Sequence, residues 1–350
     1  MTTKFKFLFS IIVIATIVFN CNSKVNAQEK KYKIGCIAFY NLENLFDTVN
    51  DTTINDEDFL PEGDYKWTED RYQKKLENMS SVIAQIGSEY VKGPAIVGLS
   101  EVENTKVVED LVATDNLKDM NYKVIHYDSP DERGVDVALI YQPAFFEVTN
   151  SKAIYTDLLD GDMTRDVLLV SGLFNGEPLH VLVNHWPSRS GGQKRSAPKR
   201  QIAAELDRKI IDSILAIDPK AKIILMGDLN DNPTDKSIKV SLGTSEEIEG
   251  AVNGLLYNPM EKKYKNGIGS NAYRDTWSLF DQIILSEGLL GEDKSSYKFF
   301  KAQVFNETFL TQKEGKFEGY PFRTYVGTTY KGGYSDHFPS FVYLVKEDLN

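Results

Sequence analysis

Short apolar segments recur along the chain, and helical patterns between them are few. Segments of about four to eight apolar residues bounded by turn residues are typical of strands. Such segments occur at residues 34–40, 95–99, 122–126, 135–141, 167–174, 179–183, 222–226, 281–285, 301–304 and 340–345. Apolar residues at helical spacing occur at 68–86 and 197–217. A doubly wound parallel sheet needs a helix after each strand, so the pattern instead predicts a mixed α/β (α+β) fold with large sheets packed together.

Residues 1–27 have the features of a secretory signal peptide. Two lysines precede an apolar run at residues 7–19, and a small-residue cleavage pattern ends at Ala27. The run is shorter than the about 18–20 residues that a membrane-spanning helix needs. We expect cleavage after Ala27 and an exported protein, which would be periplasmic, extracellular or an outer-membrane lipoprotein. The lipoprotein alternative needs a lipid on Cys21, in a context that resembles a lipobox except at Asn20.

The remaining residues, 28–350, contain no linker, low-complexity tract or repeat, and therefore predict a single domain. The formal net charge of the whole chain is −11. This acidity argues against a protein that holds nucleic acid mainly by charge, because phosphate binding needs an excess of Lys and Arg. It does not exclude an enzyme that uses a cation to meet an anionic substrate. Nothing in the sequence indicates an obligate protein partner.

Acids, amides and histidines follow several of the predicted strands directly. They are Asn41 and Glu43, Glu101, Asn184 and His185, and Asp228 and Asn230; Asp336 and His337 follow Ser335 just before the last predicted strand. Carboxylates and amides gathered at strand ends, with no cysteine among them, form a hard, oxygen-rich site that selects Mg²⁺ or Mn²⁺. Each residue alone would be an ordinary turn residue. Their joint occurrence predicts a metal site where an ion would polarise a phosphoryl oxygen.

At these residues the chain resembles the endonuclease/exonuclease/phosphatase superfamily, the DNase I-like proteins, as an exported bacterial-type member. The most specific matches are Gly227-Asp228-Leu229-Asn230 and Ser335-Asp336-His337, supported by residues 39–42, 100–101 and 280–283. The resemblance implies a four-layered α-β-β-α sandwich. It also implies hydrolysis of a phosphoester with a divalent metal, usually Mg²⁺, with Mn²⁺ as the alternative.

The resemblance also implies roles for individual residues. Asn41, Glu43, Glu101 and Asp336 would hold or flank the metal. Asp228 would activate or orient the attacking water, and Asn230 would contact the phosphate. His337, paired with Asp281, and His185 would meet the phosphate or carry a proton.

Three arginines are candidates for binding the substrate. Arg165 resembles an arginine that lies near the phosphate in the DNase branch. Arg189 and Arg195 lie in a basic, flexible stretch after His185 and could supply forked donors to an anion. The alternative is that this stretch, residues 187–195, is a solvated loop.

Three functions remain open at this point. We expect a nuclease-like phosphodiesterase that acts on DNA or RNA. The first alternative is a phosphodiesterase or phosphatase for small or lipid phosphoesters, similar to sphingomyelinases or inositol phosphatases. The second alternative is a binding protein that kept the scaffold and lost catalysis.

Overall fold

The protein is described here by a computed structural model that covers residues 30–158 and 161–348. The predicted signal peptide at residues 1–27, with Cys21, lies outside the described residues. Within the two described ranges, every helix is too short or too polar to cross a membrane.

Five α-helices lie among the described residues. They are α1 (Glu69–Gln85), α2 (Thr105–Ala113), α3 (Gln193–Leu215), α4 (Ile248–Val252) and α5 (Met260–Lys265). The strands are β1 (Lys31–Leu45), β2 (Ile96–Val102), β3 (Lys123–His126), β4 (Asp136–Tyr141), β5 (Phe146–Ile154), β6 (Val167–Phe174), β7 (Glu177–His185), β8 (Ile223–Asp228), β9 (Thr244–Ser245), β10 (Leu256–Tyr257), β11 (Asn271–Tyr273), β12 (Thr276–Ser278), β13 (Asp281–Leu285), β14 (Lys298–Val304), β15 (Tyr325–Val326), β16 (Thr329–Tyr330) and β17 (Ser340–Asp348).

Two large mixed sheets form the centre of the fold. One has the strand order β14-β17-β1-β2-β4-β3, and the other has the order β5-β6-β7-β8-β13-β10-β9. Successive side chains of a strand point to opposite faces. In β1, Ile37 and Phe39 therefore face the second sheet, while Ala38 and Tyr40 face the helix layer that contains α1 and α2.

The second sheet is arranged in the same way, with one face toward the first sheet and the other face toward a helix layer of its own. In β8, Ile224 and Met226 join the core between the sheets, while Ile223 and Leu225 pack against α3. The order of layers is therefore helix, sheet, sheet, helix. This confirms the predicted four-layered α-β-β-α sandwich.

The predicted strands and both predicted helices are present, with longer bounds in several cases. Asn175 and Gly176 have φ angles of 47° and 83°, as a two-residue hairpin between β6 and β7 requires. The sequence patterns missed β5 and α2. In strand β5 only Phe146 is fully buried, so its sequence shows no clear alternation, and α2 is short, at 9 residues.

Candidate active site

Three predicted site residues lie in one row across the second sheet. His185 pairs with Asp228 where β7 runs parallel to β8, and Asp281 pairs with Asp228 where β13 runs antiparallel to it. The residues two positions away, such as Met226 and Ile283, belong to the core between the sheets. Because every second residue shares a face, the row continues the inner face of the sandwich to the end where these strands meet the site.

The first sheet contributes Asn41 and Glu101. Asn41 follows the inward-facing Ile37 and Phe39, so strand alternation alone points it between the sheets. Glu101 follows Val97 and Leu99, which face the helices, and simple alternation would point it away from the site.

A β-bulge at Glu101 turns its side chain toward the site. Its φ angle is 59°, and the register between β2 and β4 shifts between Ser100 and Val102. An extra residue in a strand re-aims the side chains around it, and a non-glycine residue in the left-handed region is strained by about 1–3 kcal/mol. Local strain is therefore stored where the Glu101 carboxylate turns toward Asn41.

Asn41 holds two carboxylates together. Its Nδ2 donates to Glu101 Oε1 at 3.1 Å and to Asp228 Oδ2 at 3.0 Å. Its Oδ1 accepts from the backbone N–H of Glu43 at 2.9 Å. The second oxygen of Glu101 accepts from the N–H of Asn44 at 3.0 Å. The amide thus bridges the two sheets at the site.

The two histidines flank Asp228. The Nε2 atoms of His185 and His337 each lie 3.8 Å from Asp228 Oδ2. His337 Nδ1 lies 2.6 Å from Asp281 Oδ2. Ser335 fixes this segment, since its hydroxyl donates to the carbonyl of Asn41 at 2.7 Å and accepts from the N–H of His337 at 3.1 Å.

The environments of the two histidines push their pKa values apart. Burial lowers the pKa of His185, and the positive charges of Arg165 and Arg133 lower it further, to well below its usual range. For His337, burial also favours the neutral form, but Asp281 and Asp228 outweigh it and raise the pKa well above the usual range. His185 is therefore neutral and His337 is charged at neutral pH.

Asp228 is the most strongly perturbed carboxylate of the site. Burial raises its pKa to about 7, with Asp281 and Glu101 adding repulsion and His337 opposing the shift. A group with a pKa near the working pH can both accept and release a proton. Asp228 has this property, and its carboxylate is held in place by the backbone N–H of Asn230, which donates to Asp228 Oδ1 at 3.0 Å.

The donor set at this place suits a divalent cation. Among the described residues, Glu101, His185 and Asp228 offer one ligand atom each within 4.8 Å of one another, as do Asp228, Asp281 and His337. A neutral imidazole and two carboxylates are ordinary ligands of divalent metals. The first group fits an ion better, because His337 is already bound to Asp281. A further group, His126, Asp128 and Asp136, contains none of these residues.

Glu43 and Asp336, which were expected at the metal, share Arg323 as a partner, and Asp336 Oδ1 also lies 4.0 Å from His337 Nε2. Arg323 donates to Glu43 Oε1 at 3.1 Å and to Asp336 Oδ2 at 2.7 Å. The other oxygen of Glu43 accepts from the N–H of Thr324 at 2.6 Å and lies 3.7 Å from the ammonium of Lys75. Both oxygens of Glu43 therefore have protein partners in this structure, and its role at the metal stays a prediction.

The predicted arginines differ in what they contact. Arg165 is buried and donates to the carbonyls of His185 and Trp186 at 3.1 and 2.7 Å and to Asp131 at 2.9 Å. It therefore holds the strand end of His185 in place. Its role as a substrate contact stays a prediction.

Arg189 also binds protein groups. It donates to the carbonyl of Asn230, to Gln193, and to two carboxylates at 3.1 and 2.8 Å, those of Asp231 and Asp235. In this structure these contacts fix the loop, and the role of Arg189 as a phosphate fork stays a prediction. Arg195, the third predicted arginine, is exposed. Asn230, which was expected to contact the phosphate, donates from Nδ2 to the carbonyl of Trp186 at 2.9 Å.

Sequence reasoning missed two cations of the site. Lys75 lies on the buried face of α1 and donates to Thr324 Oγ1 at 2.6 Å and to the carbonyl of Tyr334 at 2.7 Å. A signal existed, because Lys75 interrupts the apolar face formed by Tyr72, Leu76 and Met79. Arg323 had no such signal, since it lies in an irregular segment.

Comparisons with known proteins agree with this geometry. The model of a family described as the Endonuclease/Exonuclease/phosphatase family matches residues 36–346. Among curated proteins, none matches the chain significantly.

Several solved structures share the fold. TDP2 from D. rerio, humanized by 14 mutations, has a TM-score of 0.55 at 14% identity, covering 89% of this chain and 98% of that one. The mannosyl-6-phosphatase Bt3783 from Bacteroides thetaiotaomicron has a TM-score of 0.53 at 18% identity, covering 89% and 99%. D. rerio TDP2 complexed with a single-strand DNA product has a TM-score of 0.52 at 16% identity, covering 89% and 98%. At identities this low, the likeness shows the common fold alone.

Proposed function

Because the chain belongs to the endonuclease/exonuclease/phosphatase family, whose members hydrolyse phosphoesters, we propose that it is a metal-dependent phosphodiesterase that acts on nucleic acid. One observation carries the proposal. Two carboxylates bridged by Asn41 lie between a neutral and a charged histidine, all at one end of the two central sheets.

This arrangement matches what in-line phosphoester hydrolysis demands. Negative charge grows on the equatorial and leaving oxygens, and preorganised donors stabilise it. A divalent ion held by Glu101 and Asp228, with His185 beside them, would supply a Lewis acid for a phosphoryl oxygen. Mg²⁺ or Mn²⁺ suits the carboxylates best.

The residues of the chain supply the remaining steps. Asp228 is placed to orient a water molecule and take its proton. His337, kept protonated by Asp281, can donate a hydrogen bond from Nε2 to a phosphoryl oxygen. His185 is neutral, so it can bind an ion through Nε2 or donate a hydrogen bond, and it adds no positive charge of its own.

A hydrolysis screen tests the proposal. The purified protein is incubated with single-stranded DNA, duplex DNA, RNA, sphingomyelin, mannose 6-phosphate and bis-p-nitrophenyl phosphate, each with Mg²⁺, Mn²⁺ or EDTA. We expect metal-dependent cleavage of nucleic acid and of the small diester. Asp228→Asn should lower kcat by about 10²–10⁴-fold, the range for a lost general base.

The matched control is Asp212→Asn on the exposed side of α3, where the carboxylate pairs with Arg208. This variant should keep the wild-type rate. If Asp228→Asn also keeps it, the proposed mechanism fails.

A second candidate function is hydrolysis of a small or lipid phosphoester. The net charge of −11 favours it, because an acidic surface repels a long polyanion more than a single phosphate. A screen in which mannose 6-phosphate or sphingomyelin is cleaved and nucleic acid is not would select this alternative. If the wild-type protein hydrolyses none of these substrates, the result would instead favour a binding protein.

We also propose that the protein is exported, on the basis of residues 1–27. Mass spectrometry of the protein from its native host tests this. A mature chain that begins at Gln28 is expected, and a lipid on Cys21 would replace the soluble form with an anchored one.

A further inference from the structure

An aromatic groove lies next to the candidate active site and has no role in the chemistry above. It is lined by Tyr273, Arg274, Lys316, Phe317, Tyr320 and Arg323, among others, and encloses about 490 Å³. This volume is within the range of about 300–1,000 Å³ that is usual for ligand sites. Arg323 joins the groove to the site, because the same guanidinium donates to Glu43 and Asp336.

The groove offers large ring surfaces to solvent. The side chain of Tyr273 is 70% exposed and that of Phe317 is 38% exposed. Folding usually buries aromatic rings, because moving an apolar ring out of water lowers the free energy. Two rings left open beside a catalytic centre are a surface on which a flat ligand can stack.

The rings rest on a rigid base. The centroids of Tyr320 and Trp277 lie 5.8 Å apart, and Trp277 stacks on Phe338, the residue that follows His337. The hydroxyl of Tyr320 also donates to Asp275 Oδ1 at 2.6 Å, which ties the turn between β11 and β12 to the floor of the groove. Groove and candidate active site are therefore parts of one packed unit.

Positive charge accompanies each exposed ring. The guanidinium of Arg274 lies 5.1 Å from the centre of the Tyr273 ring, and the ammonium of Lys316 lies 5.6 Å from that of Phe317. Within the described parts of the chain, neither cation has an ion pair or a hydrogen bond. The lining contains three basic residues and one acid, Asp275, in a chain that is acidic as a whole.

The backbone at Arg274 is costly. Arg274 and Asp275 have φ angles of 49° and 61°, as the two central residues of this hairpin turn. Asn-Gly is the usual choice there, because most residues with longer side chains are strained in the left-handed region. An arginine at this position therefore presents its charge at some expense to the stability of the turn.

We propose that this aromatic groove is a subsite for an unpaired nucleobase of single-stranded nucleic acid, which rests on the nucleic-acid phosphodiesterase activity proposed above. The base stacks on the exposed rings of Tyr273 and Phe317. The backbone phosphates next to it meet Arg274 and Lys316, and the neighbouring phosphodiester enters the candidate active site. A base in a duplex has both faces covered by its neighbours, so the groove selects single strands and frayed ends.

Charge complementarity favours this occupant over a lipid. A lipid tail would gain nothing from three cations, whereas each nucleotide brings one aromatic face and one negative charge. Stacking of a base on an aromatic side chain contributes about 1–3 kcal/mol, so loss of one ring should weaken binding by about 5- to 150-fold.

Two measurements on the full chain test the proposal. The first is steady-state hydrolysis of a single-stranded oligonucleotide, the matching duplex and methyl p-nitrophenyl phosphate with Mg²⁺. The second is fluorescence anisotropy of a labelled single-stranded oligonucleotide in EDTA, which reports binding without turnover. The variants are Tyr273→Ala, Tyr273→Trp and Phe317→Ala, and the matched control is Tyr155→Ala, an exposed tyrosine outside the groove.

We expect Tyr273→Ala and Phe317→Ala to raise KM for the single strand at least fivefold. They should leave kcat and the hydrolysis of the small diester within twofold of wild type, and Tyr273→Trp should retain tight binding. An unchanged KM, or an equal loss on the duplex and the small diester, would overturn the subsite. The subsite would also be overturned if the protein bound phosphatidylcholine–sphingomyelin vesicles through Tyr273 and did not bind the oligonucleotide.

The two measurements separate this proposal from the one on which it rests. If the wild type hydrolyses nothing but binds the single strand in a way that depends on Tyr273, the hydrolase assignment fails and the subsite stands. If it hydrolyses nucleic acid and the ring variants match the wild type in both measurements, the subsite fails and the hydrolase assignment stands.

Discussion

Replacing Asp281 by Asn removes the negative charge that keeps His337 protonated. In the wild type the two side chains are 2.6 Å apart and almost completely buried. Breaking a buried ion pair of this kind costs about 3–5 kcal/mol, and each 1.36 kcal/mol corresponds to one pKa unit. Burial then becomes the dominant influence, so we expect the pKa of His337 to fall to its ordinary value of about 6.5 or below.

The consequence for catalysis depends on pH. With a pKa of about 6.5, His337 is about 75% protonated at pH 6 and about 3% protonated at pH 8. In the wild type the pKa of His337 lies well above 6.5, so a larger share of the imidazole stays protonated as the pH rises. The rate of Asp281→Asn relative to wild type should therefore fall by up to about 25-fold between pH 6 and pH 8.

The assay is kcat for hydrolysis of bis-p-nitrophenyl phosphate from pH 5.5 to 8.5. Taking a ratio at each pH removes any constant loss that the substitution causes by misplacing the imidazole. Asp212→Asn serves again as the control and should give a ratio that does not change with pH. Parallel profiles for Asp281→Asn and wild type would refute the argument that a charged His337 acts in the reaction.

Three further results are expected. In Glu101→Gln, the stabilisation by Mg²⁺ or Mn²⁺ should disappear in thermal unfolding followed by circular dichroism, where an ion at 100 times its Kd stabilises the wild type by about 2.7 kcal/mol. Lys75→Met should lower the free energy of unfolding in urea by about 1.5–3 kcal/mol, because it removes the buried ammonium that donates to Thr324 and Tyr334, while Arg323 still pairs with Glu43, whereas Lys74→Met next to it, at an exposed surface pair, should change it by under about 1 kcal/mol. Burial raises the pKa of Asp207 to about 8, so the folded state binds this proton more tightly than the unfolded state, and the free energy of unfolding falls as the pH rises from about 4 to 8. In urea unfolding, Asp207→Asn should show a weaker fall with pH than the wild type. The same fall in both proteins would contradict this prediction.

The sequence predicted the principal polar residues of the site because each comes just after the apolar segment of a strand. Strand ends can be recognised from local patterns, and Asn41, Glu101, His185 and Asp228 each stand directly after an apolar segment. The fold then brings these ends together. For His185 and Asp228 this needs no more than the registered pairing of two adjacent strands.

The partners of the charged residues could not be predicted in this way. Arg189 looked like a phosphate fork because it lies in a basic stretch, but Asp231 and Asp235, more than 40 positions away, bind it. The type of a residue reveals its charge and its donors. It does not reveal whether a phosphate or a distant carboxylate accepts from them.

Local periodicity and residue type, which are properties of neighbours along the chain, were enough to predict most of the longer strands, the two long helices and a mixed α/β fold with packed sheets, and the family resemblance implied the four layers. Tertiary structure alone decided which acids share a site. Glu101 reaches it through a strained bulge that reverses its direction, and Glu43 is taken up by Lys75 and Arg323. The physical reason is that charge pairing and backbone strain depend on which groups the fold brings close together. These groups can lie far apart in the sequence, where local patterns do not reveal them.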